Sequence, residues 1–199
     1  MNKVIQAQRK DKKAVVDILS QSFATDPQVS WIVGNEPKKE KRMRRLMAYA
    51  FELAMVNGSV QLTADKKAVA IWRNHRSKRM SGFLFIEMMN FALAFGSKRL
   101  SRISKMERQV VDKYPKDKDF KYLWFLGTLP TEQGKGYGSA LLKPALEDCA
   151  SKNQNVYLET STKSNVAYYE KKGFKIYDSV TLGEGNPLLV YLLRTNYTT

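Results

Sequence analysis

The sequence is poor in the side chains that bind transition metals or form covalent enzyme intermediates. It has one cysteine, Cys149, and one histidine, His75. A zinc site draws its ligands mainly from these two residue types, so we expect no metal, and Ser-His and Cys-His chemistries are disfavoured. A single cysteine cannot form an internal disulfide. The cytoplasm is therefore the predicted compartment.

Long hydrophobic runs are also missing. The longest stretch nearly free of charge, Ser81 to Ser97, contains Glu87 and Asn90. It is shorter than the roughly 20 apolar residues that cross a bilayer. The first residues, MNKVIQAQRKDKK, lack the continuous apolar segment of a secretion signal. We therefore predict neither a membrane span nor a signal peptide.

The composition is that of a folded domain. The chain has 199 residues, of which 43% are hydrophobic and 27% charged. This length is close to that of one compact unit with its own core. We expect a single domain over residues 1–199 that is a monomer or a homodimer.

Positive charge is concentrated in the first part of the chain. Residues 1–115 hold 23 basic and 10 acidic residues, a net +13, of the overall +15. Such a field concentrates anionic ligands, although a merely solvated surface explains it equally well. The basic clusters lack the interleaved aromatic residues of a single-strand platform. Nucleic acid is accordingly not the expected partner.

Hydrophobic periodicity predicts the secondary structure of the first half. Apolar residues at helical spacing predict two helices, and a third helical segment is rich in Met and Phe. Two alternating runs around a polar turn predict a β-hairpin. The predicted helices are Ala14–Phe23, Lys41–Val56 and a segment within Met80–Tyr114, and the hairpin strands are Ser59–Thr63 and Ala68–Arg73.

The second half reads as a strand, a helix and a second strand. Tyr122–Thr128 and Val156–Thr160 are almost wholly apolar, as strands buried on both faces are. A helix over about Gly138–Ala150 separates them, so the strands should pair in parallel. Pro144 predicts a kink or a late start for this helix. The predicted fold class is mixed α/β.

Between that strand and helix lies a glycine-rich loop, Gln133–Ser139. Its glycines allow a tight turn and lead into a helix N-terminus, whose free N–H groups favour phosphate oxygens. A turn that only connects two elements is the alternative.

Spacing decides which phosphate-binding pattern the loop follows. A nucleotide-triphosphate loop fails, because Leu129 and Gly136 occupy positions that require glycine and Ser or Thr. A dinucleotide fingerprint fails at Ser139. The pattern Gln-x-x-Gly-x-Gly is met by Gln133, Gly136 and Gly138.

With this loop, the chain resembles the GNAT superfamily of N-acetyltransferases. The resemblance rests on residues 122–142, 157–160 and 165–174, in that order. Within the superfamily, the sequences of these motifs are most similar to those of the branch that contains puromycin N-acetyltransferase. The resemblance implies a central mixed β-sheet flanked by helices, with a CoA cleft between two splayed parallel strands. Residues 1–120 would form the acceptor side, and 121–199 the acetyl-CoA side.

The resemblance also implies the reaction and its cofactor contacts. Acetyl-CoA would donate an acetyl group to a primary amine by direct attack in a ternary complex. Lys135 either adds a charged contact or points to solvent. The implied cofactor-binding residues are Leu126, Gly127, Thr128, Gln133, Gly134, Lys135, Gly136, Tyr137, Gly138, Ser139 and Asn165.

Two residues match catalytic positions of the superfamily. Tyr169 matches the tyrosine that protonates the CoA sulfur, and Glu159 matches a carboxylate base. The alternatives are that Tyr169 only packs, that Glu159 caps a helix or forms a salt bridge, and that Ser164 or Asn165 caps the short helix ended by Gly173.

Two other functions remain open at this point. One is a nucleic-acid- or ribosome-associated protein, which would account for the positive charge. The other is a catalytically silent CoA-binding regulator.

Overall fold

A seven-stranded mixed β-sheet forms the centre of the computed structural model, which describes residues 3–34, 37–74, 76–114, 120–183 and 188–197. His75 lies outside these ranges. The strands follow the order β1-β2-β3-β4-β5-β7-β6, and only β4 and β5 pair in parallel. The strands are β1 (Val4–Gln6), β2 (Gly58–Thr63), β3 (Ala68–Arg73), β4 (Lys121–Thr128), β5 (Val156–Thr160), β6 (Lys175–Leu182) and β7 (Leu188–Arg194). The predicted mixed class and parallel pairing are confirmed.

Within the described residues, six α-helices cover the two faces of this sheet. They are α1 (Lys12–Ser22), α2 (Pro27–Val33), α3 (Lys39–Asn57), α4 (Gly82–Val111), α5 (Tyr137–Ser151) and α6 (Lys163–Glu170). The predicted third helix is broken, because Gly96 has φ 70° and ψ 162° inside α4. Such a positive φ is readily adopted only by glycine. The long helix therefore consists of two helical segments that meet at Gly96.

The alternation of side chains along β3 divides the core into two layers. Val69 and Ile71 pack with α1 and α3 on one face. Ala70 and Trp72 pack with α5 on the other. All four are at most 1% exposed. A strand buried on both faces needs a continuous apolar run, and the sequence has one here.

Four elements were not predicted from the sequence. These are β1, α2, β6 and β7. β1 has only three residues and offers no period to detect. α2 does carry a start signal, since Asp26 accepts the Val29 N–H at 2.9 Å and Pro27 follows it. The apolar run of β7 is likewise a strand signal.

The expectation of a late helix start at Pro144 is wrong. α5 begins at Tyr137 and continues through Pro144 to Ser151. Proline removes one hydrogen bond from the helix interior. Burial of the apolar face of α5, including Leu141 and Leu142 at 0% exposure, offsets that loss. Cys149 lies on the same face and is also fully buried.

Candidate active site

A cleft opens where the parallel strands β4 and β5 separate. They pair at only three positions, from Lys121–Val156 to Leu123–Leu158. Beyond this point β4 stays paired with β3 as far as Thr128, whereas β5 pairs with β7. The β3–β4 register shifts at the same level, leaving Trp124 as an extra residue in β4. Such a bulge bends a strand, and the bend coincides with the start of the cleft.

A cavity of about 1030 Å³ occupies the cleft. The glycine-rich loop and the ends of β4 and β5 supply one group of lining residues, and helices α1 to α4 supply another. The cavity is therefore bordered by both halves of the chain. Its volume is at the upper end of the range usual for small-molecule sites, about 300 to 1,000 Å³.

The glycine-rich loop presents backbone donors to this cavity. Gly134 and Gly136 have φ of 79° and 82°, and α5 starts directly afterwards. The first hydrogen bond of α5 runs from the Ala140 N–H to the Gly136 carbonyl, at 3.0 Å. The N–H groups of Tyr137, Gly138 and Ser139 come before this first hydrogen bond and therefore have no acceptor within the helix. Donors placed this way, with the helix dipole behind them, bind anions.

The turn between β2 and β3 anchors the loop from the other side. The Tyr137 hydroxyl donates to Asp65 at 2.7 Å. Glu132 accepts from both Lys67 and Lys135, each at 3.2 Å. These hydrogen bonds lower the pKa of Glu132, the one from Lys135 most. Lys135 therefore pairs with Glu132, and it is not among the residues that line the cavity.

The end of β4 is fixed by helix α1. A Cβ at Gly127 would lie 2.9 Å from side-chain atoms of Leu19 and Ser22. The Ser22 hydroxyl donates to the Thr128 carbonyl at 2.7 Å. Leu126, Gly127 and Thr128 all line the cavity. The close approach of α1 thus explains why a glycine occupies position 127.

Three neutral side chains donate hydrogen bonds to Glu159. Its Oε1 accepts from Tyr122 at 2.6 Å and from Tyr114 at 3.3 Å, and its Oε2 accepts from Gln28 at 3.1 Å. Burial, reinforced by the charge of Glu159, raises the pKa of both phenols well above the usual value. The phenols therefore stay protonated and act as donors. Glu159 does not cap α6, whose N-cap is Thr162.

The two adjacent tyrosines of α6 occupy different surroundings, although both line the cavity. Tyr169 is 9% exposed and contacts Phe174 edge-on, with ring centroids 5.5 Å apart. Burial raises the pKa of Tyr169 far above its usual value, and the charges of Tyr168 and Asp26 add to the rise. The hydroxyl of Tyr168 lies 3.5 Å from that of Ser139, at the glycine-rich loop.

Asn165 lies in the first turn of the short helix α6. The interpretation of Ser164 or Asn165 as its cap is wrong, because the helix starts one residue after Thr162. Asn165 donates to the Thr160 hydroxyl at 3.4 Å and lines the cavity. The predicted end at Gly173 is confirmed by its φ of 88°.

Charged residues that sequence analysis missed also line the cavity. Arg73 lies over the Trp124 ring, with its guanidinium carbon 4.5 Å from the centroid. Desolvation raises the pKa of Glu107, and the nearby Glu159 adds to the rise while Arg73 opposes it. Burial raises the pKa of Asp26. These residues lie far apart in the chain, so no local pattern could identify them.

The remaining lining of the helical side is mostly apolar and aromatic. It comprises Phe23, Val29, Ile32, Leu46, Tyr49, Met88, Phe91, Ala92, Leu100, Ile103, Met106, Val110 and Val111, with Phe125 of β4 beside them. A ligand here would contact mainly aliphatic and aromatic side chains. The acidic groups of the lining are the carboxyl groups of Glu107, Asp26 and Glu159.

Comparison with known proteins agrees with this architecture. The family model for the acetyltransferase (GNAT) domain matches residues 104–176. An uncharacterized N-acetyltransferase of Schizosaccharomyces pombe is 25% identical over 189 residues, covering 89% of this chain and 76% of that protein. The chain is thus similar to a GNAT acetyltransferase domain over residues 104–176.

Solved structures share the fold of this GNAT-like chain. One is described as histone acetyltransferase HPA2 and related acetyltransferase from Corynebacterium glutamicum, with a TM-score of 0.67, 22% identity and 96% of both chains covered. Another is arylalkylamine N-acetyltransferase 2 from Aedes aegypti, with a TM-score of 0.65 and 12% identity, covering 98% of this chain and 99% of that one. The predicted GNAT-like fold is confirmed.

Within the residues that the structure describes, no group of three or more His, Cys, Asp or Glu side chains is placed to hold a metal ion. Across the same part of the chain, no helix is both long and apolar enough to cross a membrane.

Proposed function

We propose that this chain is an acetyl-CoA-dependent N-acetyltransferase whose acceptor is a primary amine. The observation that carries the proposal is the cleft between β4 and β5, which opens beside a loop of positive-φ glycines at the start of α5. The family match and the relative's name support this activity. We propose a single domain with the acceptor side in residues 1–120.

The loop suits the pyrophosphate of CoA. The N–H groups of Tyr137, Gly138 and Ser139, in the first turn of α5, supply donors for phosphate oxygens. The unpaired side of β4, from Leu126 to Thr128, offers peptide groups to the amides of the pantetheine arm, as an added strand does. Gln133 and Asn165 line the same cavity. Lys135 contributes only through the loop backbone, since its ammonium group pairs with Glu132.

Glu159 is the proposed base. An amine attacks a thioester only in its neutral form, so an ammonium acceptor must first lose a proton. Glu159 accepts it directly or through a water molecule, while Tyr122, Tyr114 and Gln28 hold the carboxylate in place. The new bond joins the amine nitrogen to the acetyl carbon.

Tyr169 is the proposed acid. When the carbon–sulfur bond breaks, the leaving thiolate needs a proton, and Tyr169 donates it from its hydroxyl. The raised pKa of Tyr169 keeps this hydroxyl protonated at neutral pH. An ammonium acceptor loses two protons in all. The first leaves through Glu159 before the attack and passes to solvent, and the second leaves the nitrogen after the new bond forms and balances the proton that Tyr169 gives to sulfur, so no covalent acyl-enzyme forms.

The lining of the helical side favours an amine with an apolar body. Aromatic and aliphatic walls would hold such a body, while Glu107 would attract the ammonium group before deprotonation. One relative in fold is an arylalkylamine N-acetyltransferase. The similarity to the puromycin N-acetyltransferase branch stays a prediction, which rests on the sequence of the loop, on Pro144 in the following helix and on the segment Leu158-Glu-Thr-Ser161.

Thiol release from acetyl-CoA tests this function. Arylalkylamines, alkylamines, aminoglycosides and peptides are offered in turn, and products are identified by mass spectrometry. We expect turnover with apolar amines, and Glu107→Gln should raise KM more than it lowers kcat. Binding of CoA without turnover of any amine would favour the silent regulator, and the absence of CoA binding would refute the site.

A further inference from the structure

The first segment of α4 carries an apolar surface that the proposed function does not use. Beside Met88, which is 38% exposed and lines the cavity, five large apolar side chains on this segment have exposed fractions of 48–80%. They are Phe83, Phe85, Ile86, Met89 and Leu93. At 3.6 residues per turn they fall within an arc of about 160°, along roughly 15 Å of helix. We call these five residues the outer face of α4.

The opposite side of this segment is packed against the protein. Leu84 and Phe95 are 1% and 5% exposed. The Ser81 hydroxyl accepts the Leu84 N–H at 3.2 Å, which fixes the start of the helix. The outer face is thus part of an anchored helix. Monomeric proteins seldom expose a contiguous apolar surface of this kind without a use for it.

No negative charge interrupts the outer face. Glu87 is the only acidic residue between positions 76 and 106. It is 8% exposed and pairs with Lys12 at 2.8 Å and with Arg45 at 3.7 Å. The carboxylate of this segment is therefore turned inward and neutralised.

Basic residues flank the outer face, with one in contact at its edge and others on either side of it in the sequence. The guanidinium carbon of Arg9 lies 3.9 Å from the centroid of the Phe83 ring, at one edge of the face. Seven further basic residues lie in the sequence on either side of the apolar segment. They are Arg76, Lys78 and Arg79 before it, and Lys98, Arg99, Arg102 and Lys105 after it.

We propose that the outer face of α4 docks on an anionic lipid surface, with the helix lying in the plane of the interface. Apolar side chains that enter the headgroup region lose contact with water, and the flanking cations attract acidic headgroups. A helix with an apolar face and basic flanks is the form that such surfaces bind. The helix rests on the membrane and does not span it.

Charge complementarity favours lipid over a second copy of this chain. A twofold dimer places the same surface patch of both copies in contact. The basic residues around one outer face would then approach those around the other, and like charges repel. A bilayer that contains phosphatidylserine presents the opposite charge to the same residues.

Docking would also bring lipid close to the proposed acceptor site. Met88, Phe91 and Ala92 belong to the same helical segment and line the cavity. An apolar amine dissolved in the membrane would therefore reach the enzyme at its surface of attachment. This consequence depends on the proposed function, whereas the docking itself does not.

Vesicle flotation tests the proposal. The full chain is mixed with two kinds of vesicle. One contains phosphatidylcholine alone, and the other contains phosphatidylcholine with about 30% phosphatidylserine as the anionic lipid. We expect binding to the acidic vesicles that weakens with added salt. The triple variant Ile86→Gln, Met89→Gln, Leu93→Gln should bind about tenfold less or weaker still. Glutamine keeps the helix propensity close to that of the residues it replaces.

A matched control separates this surface from general hydrophobicity. Ile176 and Leu189 are exposed apolar residues on β6 and β7, at 43% and 40%. Ile176→Gln with Leu189→Gln should leave vesicle binding unchanged. Thermal unfolding confirms that each variant is folded.

Three results would overturn the proposal. The first is no binding of the wild-type chain to acidic vesicles at low salt. The second is undiminished binding of the folded triple variant, which would make the contact purely electrostatic. The third is a wild-type dimer, seen by light scattering, that the triple variant abolishes while neither protein binds vesicles; the occupant would then be a second copy.

Discussion

The hydroxyl of Tyr122 donates a 2.6 Å hydrogen bond to Oε1 of Glu159. Tyr122 belongs to β4 and Glu159 to β5, at the level where the two strands separate. The contact therefore crosses the mouth of the cleft and fixes the proposed base relative to the strand that would hold acetyl-CoA. Hydrogen bonds to a charged group are stronger than those between neutral groups.

Removing this donor should impair catalysis without unfolding the protein. Tyr122→Phe should lower kcat by about tenfold to a hundredfold, the range expected when a charged group loses a hydrogen bond. Tyr114→Phe, which removes a longer 3.3 Å contact to the same oxygen, should have a smaller effect. Steady-state kinetics of both variants measure the difference. An unchanged kcat in both variants would mean that neither contact positions Glu159 for the reaction.

The two tyrosines of α6 should respond differently to the loss of their hydroxyls. Tyr169→Phe should lower kcat by about a hundredfold or more while CoA affinity is retained, because only the proton donor is removed. Tyr168→Phe should largely retain kcat, because that hydroxyl lies at Ser139. Single-turnover rates make the comparison independent of product release. A Tyr169→Phe rate equal to that of the wild type would limit Tyr169 to packing.

The glycine-rich loop should not tolerate a side chain at position 138. A Cβ there would lie 3.0 Å from the Tyr168 hydroxyl and would obstruct access to the loop. We expect Gly138→Ala to weaken CoA binding by about tenfold or more, as measured by calorimetry. Gly82→Ala is the control, because no atom lies within 4 Å of its Cβ position. Unchanged CoA affinity of a folded Gly138→Ala variant would argue against the loop as the phosphate site.

Asp11 should make stability depend on pH. It is 4% exposed and accepts from Lys66 at 2.9 Å and from the Gln8 N–H at 3.0 Å. These hydrogen bonds, the one from Lys66 most, lower the pKa of Asp11 below its usual value. A carboxyl with a lowered folded pKa stabilises the protein fully above its unfolded pKa, and this stability is lost as pH falls through the folded value.

Denaturant unfolding of Asp11→Asn checks this expectation. At pH 7 the variant should lose about 1 kcal/mol of unfolding free energy, the size typical of the net contribution of one hydrogen bond. The gap to the wild type should narrow below about pH 4, as the wild-type carboxyl becomes protonated. Asp17→Asn is the control, because Asp17 forms an exposed pair with Arg44. A gap that stays constant with pH would show that charge is not involved.

Local patterns predicted the parts of the fold that depend on neighbouring residues. The hairpin and the unit of β4, α5 and β5 follow from apolar runs, glycines and connection length, and their observed bounds differ from the predicted ones by at most one residue. The cleft depends on a bulge at Trp124, which only the pairing with β3 reveals. The contacts of Tyr122 and Gln28 with Glu159 join residues 37 and 131 positions apart. Contacts between residues so far apart in the chain leave no periodic pattern in the sequence from which they could be predicted.

The single thiol of the protein gives a reporter of structural opening. Cys149 is fully buried in α5, and desolvation raises its pKa, so its reactive thiolate is scarce in the native state. A thiol reagent should therefore label the chain only when α5 leaves the sheet. The labelling rate then measures the free energy of that opening. The same protection keeps the background low when the free CoA thiol is titrated in the presence of the folded enzyme.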